Sequence, residues 1–188
     1  MKLILVRHGE TVANRRHILQ GQTHGKLTAE GVSQADKVAG FLASFDVDIC
    51  FTSDLRRAVD TAAIVALKHP RMRIVKDIRL RERYLGEIQG RKIPADWDGT
   101  GHYESAEPVP ELYERVKSFV SYILTSHPDQ VILIVSHGIT LKILLSVCLG
   151  YDALQFPEIE DLKNGSVSIL EQNPESLLFK LVDSNRTF

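Results

Sequence analysis

Three short segments of this chain are apolar with no alternation: residues 2–6 (KLILV), 48–53 (DICFTS) and 131–136 (VILIVS). A strand with one face in water alternates apolar and polar side chains, so an unbroken apolar run has to be covered on both faces. That requirement selects a parallel sheet flanked by helices. Helical patterns lie between the runs. Residues 28–45 put Val32, Ala35, Val38, Ala39 and Leu42 on one face, with Thr28 as N-cap. Residues 54–69 carry Leu55, Ala58, Val59, Ala62 and Ala66 on one stripe and stop before Pro70. Residues 109–127 repeat Leu112, Val116, Phe119, Val120 and Ile123 ahead of Pro128. Residues 139–150 are apolar nearly all round, as in a helix buried on several sides, with Gly150 as its stop. A further strand is expected at 73–77, and residues 166–183 read as two strands joined by a turn at Asn173-Pro174. Strands alternating with helices predict an α/β three-layer sandwich: a mostly parallel central sheet with helices on both faces, in one domain spanning residues 1–188.

Composition narrows the function. The formal net charge is −1, so nothing overall draws the chain to nucleic acid or an anionic membrane, and any basic site must be local. Cys50 and Cys148 sit in apolar contexts and read as small buried residues; two cysteines make no disulfide scaffold, which fits a reducing cytosol. The opening MKLILVRHGE is too short for a signal peptide or a membrane span, so the expected location is the cytoplasm. Residues 90–108 are rich in Gly, Pro and Asp without a period, and a loop that long inside a compact domain is often functional.

The chemistry concentrates at strand ends. LVRHG and IVSHG share one design: an apolar strand, a histidine, then a glycine. His8 and His137 should both emerge at the carboxyl edge of the sheet, where open parallel sheets bind ligands. One histidine at a strand end is usually structural; two copies of one pattern at the same edge favour a shared site. A glycine lets backbone approach a ligand closely. A helix begins directly after His137-Gly138, and helix starts attract anions. The segment FTSDLRRAVDTA also starts at this edge, with Ser53 and Asp54 as candidate caps and Arg56 and Arg57 in the first turns. An arginine there opposes the helix dipole unless it faces an anion, and one of the pair can turn inward to do so. Glu82 lies among Arg79, Arg81 and Arg83 in LRERYLGEIQGR.

RHGET followed by Asn14, then LQGQ, LTAEG, TSDLRRAVDTA, LRERYLGEIQGR and VSHGIT, resembles the histidine phosphatase superfamily, the phosphoglycerate mutase-like proteins. The motifs run from residue 7 to residue 140 in the family's order, and NGSVSIL at 164–170 resembles its late strand. The resemblance implies a phosphohistidine mechanism. His8 would be the nucleophile, one ring nitrogen attacking phosphorus while the other is pinned. Arg7, Arg57 and His137 would surround the phosphoryl oxygens, where guanidinium forks bind bidentately and keep their charge. Arginines and a protonated histidine would then supply the positive charge without a metal, and no HExxH spacing is present. Glu82 would protonate the leaving alkoxide, given a carboxyl made ready by burial or by phosphate charge. The implied catalytic set is therefore His8, Glu82, Arg7, Arg57 and His137. The implied substrate-binding set is Arg7, Asn14, Gln20, Gly21, Arg57, Glu82, His137 and Gly138, with Thr11 and Thr140 as added hydroxyl contacts.

Departures from the family concern the substrate. His24 stands where many members carry aspartate, Lys26 where proline is common, and GHYESAEP where many small phosphatases show a GES-type motif. The stretch between Glu82 and His137 leaves little room for the insertion that mutases resembling this chain carry. Hydrolysis of a small phosphomonoester is therefore expected, α-ribazole phosphate or a sugar phosphate being candidates. A cofactor-dependent phosphoglycerate mutase and an inactive, phosphate-metabolite-binding regulatory protein are the alternatives. The expected partner is that small molecule, with no cofactor, no nucleic acid and no membrane. The tail after residue 170 is open to two uses, a cover over the site or a homodimer interface.

Overall fold

A computed structural model describes residues 1–97, 99–153, 155–173 and 176–188. In chain order its elements are β1 (Lys2–Arg7), α1 (Val12–Arg15), α2 (Ala29–Leu42), β2 (Ile49–Thr52), α3 (Arg56–Ala66), β3 (Arg73–Lys76), α4 (Val109–Ser126), β4 (Val131–Ser136), α5 (Gly138–Leu149), β5 (Val167–Gln172) and β6 (Phe179–Arg186). Six strands join one sheet in the order β3-β2-β4-β1-β5-β6. The four strands from β3 to β1 are parallel, and β5 and β6 add on antiparallel beyond β1.

The unalternated runs are explained by the layers. Ile4 and Val6 of β1, with Leu133 and Val135 of β4, pack against Val38 and Leu42 of α2 and Ala58, Ala62 and Val65 of α3. The intervening residues Leu3, Leu5, Ile132 and Ile134 point the other way and meet Leu112, Val116 and Phe119 of α4 and Leu141 and Leu144 of α5. Both faces of the central strands are thus apolar and covered, as a doubly covered parallel sheet requires. Helix α5 is buried nearly all round and ends at Gly150 in a left-handed conformation, φ 82°. Cys50 and Cys148 are free and buried, and burial pushes the Cys50 thiol up to about 12. Among the described residues no helix is long and apolar enough to cross a membrane.

Several local expectations change. Val32 is 46% exposed. The inward position of that first turn belongs to Gly31, where a Cβ would lie 2.1 Å from the Glu10 carbonyl oxygen. A Cβ on Gly9 would in turn lie 2.2 Å from the Gly31 carbonyl oxygen. Gly9 therefore serves backbone-to-backbone packing against α2 rather than close approach to a ligand. The buried stripe of α3 is Arg57, Ala58, Thr61, Ala62 and Val65, a rotation that carries Arg57 inward and leaves Val59 and Ala66 half-buried. Its N-cap is Leu55, with no side-chain cap. Ser53 Oγ accepts only the Leu55 N–H, at 3.2 Å, and the Asp54 carboxylate is taken by the Arg81 guanidinium at 2.6 and 2.7 Å. An ion pair to the segment bearing Glu82 has replaced the cap. Strand β6 runs on to Arg186. The Pro174 half of the expected tail turn lies outside the described residues.

Candidate active site

Strands β1 and β4 pair in parallel with Arg7 opposite Ser136, and the His8 N–H donates to the Ser136 carbonyl at 3.0 Å. His8 and His137 therefore leave neighbouring strands side by side, their rings 5.2 Å apart at the centroids and inclined at 60°. From the first turn of α3, Arg57 inserts against both. Its Nε lies 3.1 Å from His8 Nε2 and 3.1 Å from His137 Nδ1. Its terminal nitrogens donate to the carbonyls of Thr23 at 2.7 Å and Gly21 at 2.8 Å. Gly21 can offer that carbonyl because it adopts φ 49°, with the Gln89 amide packed where a Cβ would stand.

Hydrogen-bond partners assign the ring tautomers. His8 Nδ1 lies 2.8 Å from the Gly9 carbonyl oxygen, an acceptor, so the proton is on Nδ1 and the Nε2 lone pair faces Arg57. His137 Nδ1 accepts from Arg57, which puts the His137 proton on Nε2. That Nε2 is buried with no partner among the described residues, and so is Arg7 Nε. Buried donors are almost always paired, so two idle ones in one cluster mark the place of an absent acceptor. A terminal nitrogen of Arg7 is already held by the Leu162 carbonyl.

Burial, then the Arg57 and Arg7 guanidiniums, hold His8 well below the usual imidazole range. His137 is depressed by burial, then by Arg57, His8 and Arg7. Both rings are thus neutral at neutral pH in the ligand-free site. Burial first, and then the two guanidiniums, disfavour a further cation in that ligand-free cluster. Burial lowers Arg57 to about 10, against the pull of Glu82, and leaves it cationic.

Glu82 follows a short turn, Ile78–Leu80, and its carboxylate meets the start of α5. It accepts the N–H of Arg83 at 2.9 Å, of Ile139 at 3.2 Å and of Thr140 at 3.1 Å, plus the Thr140 hydroxyl at 3.0 Å. The α5 start does bind an anion, but that anion is Glu82. Thr140 and Thr11 hold other side chains rather than lining the cavity: Thr11 Oγ1 contacts Asn14 Oδ1 at 2.8 Å and Gln20 Oε1 at 3.1 Å.

The cavity has a volume of about 300 Å³. Arg7, His8, Arg57, Glu82 and Gly138 line it, as do Asn14, Gln20 and Gly21, while His137 is fully buried against Arg57. Residues 90–108 close one side through Trp97 and Gly99. This loop is anchored by Arg83, which donates to the carbonyls of Gly99 at 2.6 Å, Gly101 at 2.9 Å and Glu107 at 2.8 Å. Arg115 binds both Glu107 carboxylate oxygens at 2.8 Å, and Trp97 stacks on Tyr103. His24 and Lys26 are exposed and do not line the cavity.

Sequence reasoning missed five contributors. Arg83 looked like one of several surface charges. Thr61 Oγ1 accepts the Gly9 N–H at 3.1 Å, and its signal was a polar residue at an inward α3 position. Asn164 Nδ2 donates to the His8 carbonyl at 3.0 Å from 156 residues away, which no local pattern announces. Lys142 and Asp161 line the cavity as a pair, 2.8 Å apart. Among the described residues no group of three or more His, Cys, Asp or Glu side chains is arranged to hold a metal ion.

The family model described as the histidine phosphatase superfamily (branch 1) matches residues 3–185. The chain is 36% identical over 181 residues to a Proteus mirabilis protein named "Probable phosphoglycerate mutase GpmB", covering 89% of this chain and 83% of that protein. A mycobacterial glucosyl-3-phosphoglycerate phosphatase, solved with VO3, superposes with a TM-score of 0.87 at 28% identity, covering 98% of each chain. The α-ribazole phosphatase from Shigella flexneri superposes with a TM-score of 0.88 at 26% identity, covering 99% of this chain and 96% of that one.

Proposed function

The chain belongs to the histidine phosphatase superfamily, and from that membership we propose that it hydrolyses a small phosphomonoester through a phosphohistidine. One observation carries the proposal: Arg57 Nε lies 3.1 Å from both histidines, in a buried cluster where Arg7 Nε and His137 Nε2 have no acceptor among the described residues. A tetrahedral anion supplies such acceptors.

In this reading His8 Nε2 attacks phosphorus and the ester P–O bond breaks, leaving the phosphoryl group on His8. The Nδ1–H bond to the Gly9 carbonyl keeps the ring oriented and favours the cation that forms. Arg57, Arg7 and the His137 Nε2–H face the phosphoryl oxygens, where charge gathers in the transition state. Glu82, as general acid, gives a proton to the departing alkoxide. Water then loses a proton to Glu82 and attacks phosphorus, the N–P bond breaks, and inorganic phosphate leaves with His8 restored.

Asn14, Gln20, Gly21 and Gly138 complete the substrate-binding set. The reading takes residues 1–188 as one domain, supported by six strands in one sheet. It needs no metal or other cofactor, and it places the protein in the cytoplasm with a small phosphomonoester as partner rather than nucleic acid or membrane. α-Ribazole phosphate and sugar phosphates are candidates, the first consistent with what the Shigella flexneri structure is named for. The name of the Proteus mirabilis relative favours a second reading, a mutase. A mutase returns the phosphoryl group from His8 to a hydroxyl of the product rather than to water.

Turnover of p-nitrophenyl phosphate in EDTA, abolished by His8→Ala, is the expected result. Silence toward every monoester tried points instead to a binding protein. With 3-phosphoglycerate, isomerisation without phosphate release identifies the mutase.

A further inference from the structure

Above the phosphate floor the cavity changes character. Ile18, Ile93, Trp97, Ile139 and Leu162 line it, all apolar. The side-chain oxygens of Asn14 and Gln20 are already engaged by Thr11. Among the described lining residues Lys142 is the one cation besides Arg7 and Arg57, and it is not free. It stands one turn beyond Gly138 on α5 with its side chain 7% exposed, and its Nζ lies 2.8 Å from Asp161 Oδ1. The Asp161 side chain is 86% exposed, at the solvent side of the pair. Its backbone is pinned by the C-terminal strand: Asn185 Nδ2 donates to the Asp161 carbonyl at 3.1 Å, and Asn185 Oδ1 accepts the Lys163 N–H at 2.8 Å.

We infer that this cavity selects phosphomonoesters of uncharged alcohols bearing an apolar face, and that the Lys142–Asp161 pair is the specificity-determining element that turns away esters with a second acid group. The inference rests on the phosphomonoester reading and names its substrate class. An alcohol such as an aryl- or alkyl-substituted one buries its face against Trp97 and the isoleucines as it loses water. A carboxylated ester such as a phosphoglycerate would be drawn most strongly by a second free cation. Among the described lining residues the candidate, Lys142, is neutralised, and the substrate carboxylate would sit beside the Asp161 carboxylate, a like-charge contact that selects against it.

The test compares 2-phenylethyl phosphate with 3-phosphoglycerate in the full chain. The expected kcat/KM ratio favours 2-phenylethyl phosphate by at least about tenfold. Asp161→Asn keeps a carbonyl oxygen for Lys142 but removes the negative charge, and should narrow that ratio to below about threefold, mainly by lowering KM for 3-phosphoglycerate. A wild-type ratio near one, or a ratio that Asp161→Asn does not move, overturns the inference. Binding is read separately in His8→Ala protein, because Trp97 is the chain's single tryptophan and lines the cavity. Quenching of its fluorescence at lower 2-phenylethyl phosphate than 3-phosphoglycerate concentrations supports the selectivity even if wild-type protein turns over neither ester, an outcome that removes only the phosphatase reading. Equal quenching by both esters, or none by either, overturns it.

Discussion

The Nε–H of Arg57 points at the Nε2 lone pair of His8 across 3.1 Å, while the rest of the same guanidinium is tied to the backbone of residues 21 and 23. The proposed nucleophile and its cation are thus positioned by one contact before any substrate arrives. Arg57→Ala should cost about 2–4 kcal/mol of transition-state stabilisation, the range seen when a preorganised donor is removed. Arg57→Lys should recover little, because an ammonium cannot hold two carbonyls and face the histidines at once. Turnover of p-nitrophenyl phosphate measures both, and a loss below tenfold for the alanine variant rejects the assigned place of Arg57.

The pH profile should reflect the neutral His8. The ring is reactive only when Nε2 is unprotonated, and burial with Arg57 and Arg7 holds its pKa well below the ordinary value. Activity in kcat/KM should therefore persist as pH falls through about 6.5, the usual imidazole midpoint, and decline only in more acidic solution. Arg57→Ala removes one depressing charge, so the acid limb of the residual activity should move upward in pH. An acid limb at the ordinary histidine value in wild-type protein would contradict the depression.

Stability should follow the same sign. His8 and His137 are held neutral in the folded protein and take protons more readily once unfolded. The unfolded chain then binds more protons below about pH 6.5, so folding stability contributed by these rings is complete above that pH and is lost as pH falls toward their depressed values. Thermal midpoints measured from pH 7 to 5 should decline; a flat profile tells against the buried neutral pair.

Glu82→Gln should harm alkyl phosphates far more than p-nitrophenyl phosphate, whose leaving group needs little protonation. The amide can still accept at one oxygen from the start of α5, so the fold around Ile139 and Thr140 should hold. Equal losses on both classes of ester would remove Glu82 from the acid role.

Arg83→Met deletes the donor shared by the carbonyls of Gly99, Gly101 and Glu107. The variant should lose at least about 2 kcal/mol of stability, since three acceptors forfeit a charged partner. Denaturant titration measures that loss, and KM should rise for esters whose alcohol reaches Trp97. A KM unchanged for such esters would show that the loop does not contribute to the site.

The elements that local pattern predicted are those stabilised by their own periodicity. Unbroken apolar runs specified β1, β2 and β4, a repeat of apolar residues every third or fourth position specified α2 and α4, and a helix apolar nearly all round with a glycine stop specified α5. The repeat was less sufficient in α3. Its stripe is rotated so that Arg57 and Thr61 face inward while Arg56 stays exposed beside Asp60, a choice made by Gly9, His8 and the carbonyls of the 21–23 turn rather than by hydrophobicity. Gly9 illustrates the same limit: its spacing from His8 was visible, but the reason for a glycine is the Gly31 backbone 2.2 Å from where a Cβ would be.

By itself the sequence determined the sheet, its covering helices, and the delivery of His8, His137 and the Arg56-Arg57 pair to one edge, because periodicity and strand-end placement are properties of neighbouring residues; Glu82 and the choice of Arg57 came from the family resemblance alone. Only the tertiary structure decided that Glu82 takes the α5 start, that Arg83 ties down the 90–108 loop, and that Asp161 neutralises Lys142 under the hold of Asn185. Those contacts join residues far apart in the chain, and a side chain's partner across such a distance is set by burial and by which donors remain unpaired once the layers have packed.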